Sequence, residues 1–357
     1  MNDTRKPGYV LITGGAGFVG INLAARLLST GASVLIYDNL SRAGVETNLR
    51  WLRGRFGSAL QVDSGDVRDA DRLRAAVAGA AEVYHFAAQV AVTSSLTDPI
   101  LDFEVNLRGA LNLLEAARRA PRPPPIVFTS TNKVYGALHD VALRRTDTRY
   151  EPMDAALRKH GVAESRPLAF HSPYGCSKGG ADQYMLDYAE SFGVPTVVLR
   201  MSCIYGPHQC GTEDQGWVAH FLISALEERA ITLYGDGRQV RDILFIEDLV
   251  DALLLCQTCM PSLGGRAFNI GGGPDNTISL IELLRGIARM HGTMPEVEHA
   301  PWRVGDQRYY VSDTRAFQSA TGWSARVSAG EGIARLYQWL GNERGRTRWA
   351  EAGTHAA

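Results

Sequence analysis

Lysine is nearly missing from this 357-residue chain: Lys6, Lys133, Lys159 and Lys178 stand against thirty-three arginines. Where positive charge alone is needed the chain uses arginine, so a lysine inside a motif suggests a chemical demand for an ammonium group. A surplus of either charge is missing too, with Lys plus Arg at 37 and Asp plus Glu at 38. Proteins that hold phosphate backbones carry a basic surplus, so nucleic acid is not expected as the main partner. No apolar run nears the ~18 residues that cross a bilayer, and no membrane partner is expected. The opening MNDTRKPGYV has no apolar centre of a secretion signal. Five cysteines outline no disulfide framework. Cys256 and Cys259 share an apolar helical run with no second pair or clustered His, so they read as core and no metal is expected. The expected compartment is the cytoplasm.

What the chain does have is alternation. Tyr9 to Thr13, Ser33 to Tyr37, Leu60 to Val62, Glu82 to Phe86 and Ile126 to Thr129 read as strands. Between them lie helical patterns at Phe18 to Thr30, Ala70 to Ala78 and Phe103 to Arg119. Such alternation predicts an α/β fold with a doubly wound parallel sheet. A helix over Ser177 to Phe192 and strands at Thr196 to Leu199 and Asp242 to Ile246 follow. Residues 1–204 with 241–276 read as the sheet domain, and 205–240 with 277–341 as a smaller C-terminal lobe. Residues 342–357 read as a frayed tail, and the polar stretch 137–169 as a candidate lid.

Three clusters carry chemistry. The first strand runs into Gly14, Gly17, Phe18, Val19 and Gly20, where a strand turns into a helix. Glycines there allow a tight turn, close approach of a pyrophosphate to backbone N–H groups, and close helix–sheet packing. Asp38 ends the second strand, eighteen residues after Gly20, placed to accept ribose hydroxyls and repel a 2′-phosphate. NAD is therefore expected over NADP. Asn39, Ser41 and Arg42 extend this loop, Asp66 and Val67 reach the adenine edge, and Ala87 and Ala88 let the dinucleotide lie close to the sheet. The second cluster is Tyr174-Gly-Cys-Ser-Lys178, whose i, i+4 spacing puts phenol and ammonium on one helix face. The ammonium and a cationic nicotinamide are expected to lower the phenol pKa and make Tyr174 a base. The third is Thr131, at the carboxyl end of the fifth strand, where ligands of such sheets bind.

Together these residues resemble the extended short-chain dehydrogenase/reductase superfamily, the nucleotide-sugar epimerases and dehydratases, over roughly Tyr9 to Leu340. The strings STNKVYG (130–136), HSPYGCSKGGADQYMLDYA (171–189), DQGWV (214–218), GRQVRD (237–242) and FNIGG (268–272) are similar to the branch that epimerises CDP-sugars at C2. The resemblance implies a Rossmann-type fold and a tightly held NAD recycled within each turnover. It implies Thr131, Tyr174 and Lys178 as the catalytic set, and Gln89 and Asn106 as further cofactor contacts. Dehydratases of the family carry an acidic pair directly after the threonine; here Asn132 and Lys133 stand there, which argues against dehydration. The substrate set it implies is Asn132, Lys133, His171, Ser202, Ile204, Gln209 and Trp217, with Arg241, Arg303 and Arg308 for the diphosphate. The sugar stays open between paratose/tyvelose and glucose/mannose types, and a 4-epimerase or net oxidoreductase remains the alternative. A homodimer through the helices near Phe103–Arg119 and Ser177–Phe192 is implied as well.

Overall fold

The computed structural model describes residues 8–354, with side chains through residue 343. Seven strands form one parallel sheet: β1 (Tyr9–Thr13), β2 (Val34–Tyr37), β3 (Leu60–Asp63), β4 (Ala80–His85), β5 (Ile126–Thr131), β6 (Thr196–Met201) and β7 (Arg266–Ile270). Their spatial order is β7-β6-β5-β4-β1-β2-β3. The order reverses between β1 and β4, and that switch point opens the crevice in which ligands of such sheets lie.

The sheet is covered on both faces, and its central strands carry continuous apolar runs, Val10–Ile12, Ile126–Phe128 and Val197–Leu199, rather than an apolar residue at every second position. Val10 and Ile12 of β1 join one core layer with the helices Phe18–Ser29 and Ile246–Thr258. Leu11 joins the opposite layer with the helices Gly109–Arg118 and Ser172–Phe192. The same division runs along β5, where Val127 faces one layer and Ile126 and Phe128 the other. Truncating a fully buried residue such as Leu11 to Ala costs about 2–5 kcal/mol.

A second assembly sits at the carboxyl end of this sheet. The strand Val240–Phe245 pairs with Cys203–Tyr205, Thr277–Ser279 and Tyr309–Tyr310. Ile231–Tyr234 pairs with Val297–Ala300. The helix Leu280–His291 opens on a capping box, Ser279 with Glu282.

Three elements depart from the expectations. The long helix starts at Ser172, five residues before the Ser177 boundary, because Pro173 suits a first helical turn. The pattern from Phe103 to Arg119 contains a π-turn, Glu104–Arg108, between the helices Pro99–Phe103 and Gly109–Arg118. The stretch 137–169 is no loose lid. It holds the hairpin Leu143–Arg145/Tyr150–Pro152 and the helix Ala155–His160, and it buries Leu138 and Val162 against Tyr310. Arg149 donates to Glu282 at 2.7 Å, which ties the hairpin to the helix Leu280–His291. Where a frayed tail was expected from 342, helical backbone runs over Ala329–Thr354, in keeping with the Ala, Glu and Arg content of that stretch; residues 355–357 lie outside the described residues. No helix among the described residues is long and apolar enough to cross a membrane.

Candidate active site

The cofactor groove begins where β1 meets the helix Phe18–Ser29. Gly14 turns the chain at φ +67°, and a Cβ there would stand 2.6 Å from the Ala87 backbone nitrogen. One at Gly20 would stand 2.5 Å from Gly15 Cα. Gly17 differs, since its φ is −71° and the nearest atom to an added Cβ is Gly14 O at 3.2 Å. The helix opens at Gly17 with no side-chain cap and no acidic residue in its first turn. Its amides are left for an anion, and a bare Gly17 lets that anion approach. These residues fit the pyrophosphate of NAD.

Asp38 braces the turn. Its carboxylate accepts from the Ala16 N–H at 3.0 Å and the Leu40 N–H at 2.9 Å, and burial raises its pKa. Each oxygen keeps acceptor capacity for a ribose hydroxyl. In the loop beyond, the Ser41 N–H donates to Asn39 Oδ1 and Asn39 donates to Asp66 Oδ2. Arg42 is exposed, with Asp38 and Tyr174 near enough to affect its charge. Arg68 grips Asp66 at 2.8 Å and holds its carboxyl well below the usual range. Val67 is buried; a Cβ on Gly109 would stand 2.7 Å from its Cγ2.

A buried network supports the floor of the groove, joining the expected Asn106 and Gln89 to Asp102 and Ser177, which the sequence expectations did not single out. Asp102 accepts from the Ser177 hydroxyl, and Asn106 donates to both Asp102 (3.1 Å) and Ser177 Oγ (3.1 Å). The Gln89 N–H donates to Asn106 Oδ1 at 2.9 Å, fixing the chain just after Ala87 and Ala88. The π-turn presents Asn106 to these partners, a distortion often found at functional sites. A sequence signal existed: Asp102 and Asn106 are spaced i, i+4, and Ser177 lies inside the YGCSK motif.

At the centre, Tyr174 and Lys178 come from the first two turns of the long helix, and Thr131 ends β5. Burial pushes the Tyr174 phenol up to about 12, while the hydrogen bond with Thr131 pulls it down. The expected lowering by Lys178 is not found in the protein alone, because the Lys178 ammonium turns to the strand. It donates to Thr129 O at 2.6 Å and lies 4.1 Å from the centre of the Phe128 ring. Burial pushes Lys178 down to about 7, against the charges of Asp182 and Asp102. Beneath it, His85 shares a 2.6 Å hydrogen bond with Thr13, and burial drops its pKa to about 3.

A cavity of about 410 Å³ extends from this centre into the second assembly. Phe18, Val19, Thr131, Asn132, Lys133 and Tyr174 line its inner end; Ser202, Ile204, Gln209 and Trp217 line its wall. Asn132 donates to Gln307 Oε1 at 3.3 Å, and Gln307 donates to Gly136 O at 2.6 Å. Lys133 donates to Gly305 O at 3.0 Å, and burial lowers it to about 8. Ser202 hydrogen-bonds Asp242, Gln209 donates to Ile204 O at 3.1 Å, and Trp217 points its N–H at Cys203 Sγ. Arg241 and Arg303 reach the cavity, Arg241 paired with Asp306 (2.9 Å) and Arg303 with Asp214 (3.2 Å). Two expected residues are not among those lining it. Arg308 stacks on Tyr150 and Trp302, whose rings draw its guanidinium aside. His171 is exposed at the cap of the long helix, beside Gly305.

Comparison with known proteins agrees with this geometry. The model of the NAD dependent epimerase/dehydratase family matches residues 10–271. CDP-paratose 2-epimerase of Salmonella typhi is 42% identical over 339 residues, 92% of this chain and 98% of that one. UDP-glucose 4-epimerase of Mycolicibacterium smegmatis is 32% identical, covering 93% of this chain and 98% of its own. The solved UDP-glucose 4-epimerase of Thermus thermophilus in complex with NAD has a TM-score of 0.77 at 32% identity, over 93% and 98% of the two chains.

Proposed function

The chain belongs to the NAD-dependent epimerase/dehydratase family, as an isomerase acting on nucleotide sugars, and from that premise we propose that it inverts C2 of a CDP-sugar. The observation that carries the reading is the strand end after Thr131. Asn132 and Lys133 stand there, and neither can serve as a carboxylate acid–base pair. The carboxylates lining the cavity, Glu213, Asp214 and Asp306, are all paired with arginines. Such a site moves a hydride and a proton but has no group to expel a hydroxyl. The choice of CDP and of C2 is supported by the likeness to the Salmonella CDP-paratose 2-epimerase.

NAD, which the Gly14–Gly20 turn and Asp38 would hold, would supply the hydride acceptor and donor, and its positive charge would favour the Tyr174 phenolate. Tyr174 then accepts the proton of the C2 hydroxyl, with the Thr131 hydroxyl as the bridge, and returns it after the 2-keto sugar has turned over. Lys178, on the same helix face as Tyr174, keeps its ammonium on Thr129 O at the strand end. Arg241 and Arg303 exchange their carboxylate partners for the diphosphate and hold the nucleotide while the sugar moves. Hydride and proton leave and return within one turnover, so no outside oxidant is consumed. The same reading places the enzyme in the cytoplasm as a homodimer. Ile100 and Phe103 are 71% and 47% exposed, and Tyr184 of the long helix 42%; sedimentation equilibrium giving only monomer would refute the dimer.

The test is proton NMR of the purified protein with CDP-paratose, CDP-glucose and UDP-glucose in separate tubes, without added NAD. A new anomeric signal with a changed C1–C2 coupling is expected from a CDP-sugar. Turnover of UDP-glucose alone, at C4, would overturn the reading in favour of a 4-epimerase.

A further inference from the structure

We infer that Asn22 and Asn48 couple the two halves of the site. They hold the cavity wall at residues 207–209 on the dinucleotide turn, so that bound cofactor tightens substrate binding and bound substrate retains the cofactor. The inference rests on the NAD and nucleotide-sugar reading and adds two positioning residues to it.

Gln209 lines the cavity, and the two residues before it, Pro207 and His208, form a turn. Asn22 Nδ2 donates to Phe18 O at 2.8 Å and to Pro207 O at 3.0 Å. Asn48 Nδ2 donates to Ala16 O at 3.2 Å and to His208 O at 3.3 Å. Each amide thus gives one proton to a carbonyl of the dinucleotide turn and the other to a carbonyl of the wall. The wall partners lie 185 and 160 residues away in sequence. A flipped amide would set its oxygen against two carbonyl oxygens, so both orientations are fixed. Just beyond, Cys210 packs on Gly44 in the loop after Asp38, so closely that a Cβ on Gly44 would collide with its sulfur. The wall rests on the cofactor half at three successive residues.

Two features make these bonds a coupling rather than a strut. His208 sits at φ +68°, a strained setting for a residue with a Cβ. It keeps that setting because its surroundings impose it: Asn48 on its carbonyl, and the rings of Trp51 and Trp339 at 4.0 and 5.0 Å. The wall therefore has a relaxed state to fall into when its staples weaken. The second feature is electronic. Phe18 O and the Val19 N–H belong to one peptide unit, and Val19 lies in the uncapped first turn of its helix, where the pyrophosphate fits. A phosphate bound there would polarise the peptide and make its carbonyl a stronger acceptor for Asn22. Cofactor and wall then favour each other, and the gain in affinity is equal in both directions.

The experiment follows loss of cofactor (NAD plus NADH) from the NAD-loaded protein after dilution, alone and with CDP-glucose or UDP-glucose. It compares wild type, Asn22→Leu, Asn48→Leu and the double variant; leucine is close to asparagine in size and lacks the donors. In wild type a nucleotide sugar is expected to slow the loss roughly tenfold. Each variant should shrink that ratio and the double variant should bring it near one, with KM raised and kcat little changed. A merely structural role would quicken the loss equally with and without the sugar, so an unchanged ratio in folded variants overturns the inference. A wild type whose loss neither sugar slows overturns it as well. Asn22 is only partly buried, so Asn22→Leu decides the matter if Asn48→Leu does not fold. Slowing by UDP-glucose alone would remove the choice of CDP and leave the coupling standing.

Discussion

The two ends of the cavity are held together in opposite ways. At the reacting end, Lys178 is buried against a backbone carbonyl and an aromatic face, and the Asp102–Ser177–Asn106 network is closed to solvent. Its groups are fixed before any ligand arrives, as chemistry on a reacting bond requires. At the end proposed to hold the diphosphate, Arg303 lies 24% exposed between Glu213 and Asp214, and Arg241 faces the half-buried Asp306. The partly exposed pairs of Arg303 contribute little to stability, so on the proposed function a diphosphate displaces them at small cost, whereas Arg241 is itself buried. One end is built to stay still, the other to exchange partners. On the proposed function, a sugar that turns over between two hydride transfers needs both.

The sharpest way to break this contrast is at the rigid end. Tyr174→Phe is expected to lower turnover by ~10²–10⁴-fold with NAD still bound, read by steady-state rates and by the cofactor released on denaturation. Near-normal turnover would remove Tyr174 from the chemistry. Arg241→Ala probes the exchanging end. It is expected to raise KM by roughly 10²-fold with kcat changed far less, since the guanidinium binds substrate without touching the reacting carbon. A fall in kcat with KM unmoved would place Arg241 at the rigid end instead.

The smallest effect concerns stability. The folded-state pKa of Lys178 is lowered to about 7 from 10.5. Between those values the unfolded chain binds a proton that the folded chain does not, so this group makes stability rise with pH across that window. Its cost is fully present below about pH 7. Lys178→Met, though inactive, should therefore melt a few degrees higher than wild type at pH 6–7 when free of NAD, with the gap closing toward pH 10. A lower melting temperature throughout would mean that the bond to Thr129 outweighs the burial cost.

The cofactor half was largely legible in the sequence because its demands are local. Gly20 is required by contacts within one strand–turn–helix, Gly14 by its positive φ in that turn as well as by the Ala87 backbone, and Asp38 by the end of the next strand. Tyr174 and Lys178 sit one helical turn apart, a relation that spacing alone reveals. The substrate half was legible only in part, because its contacts join distant segments. Nothing in the run from Arg303 to Arg308 distinguishes Arg303, which reaches the cavity, from Arg308, which stacks on Tyr150 and Trp302. Gln307, between Asp306 and Arg308, joins Asn132 to Gly136, yet no local pattern marks it. The phenol pKa is raised in the protein alone for a related reason: burial depends on everything packed around a group, whereas spacing reports only the neighbour on the helix face.

The bonds that close the inner end of the cavity span about half of the chain. Lys133 reaches Gly305, Asn132 meets Gln307, and Gln307 meets Gly136, across separations of 172, 175 and 171 residues. Lys178 needs only Thr129, 49 residues away, and Ser177 only Asp102, 75 residues away. On the ribosome, at roughly 5–20 residues per second, the partners of the cofactor floor emerge on the order of ten seconds before those that close the sugar site. The growing chain thus acquires a place for its dinucleotide while the sugar pocket is still being made, and a ligand that binds early stabilises the half already folded.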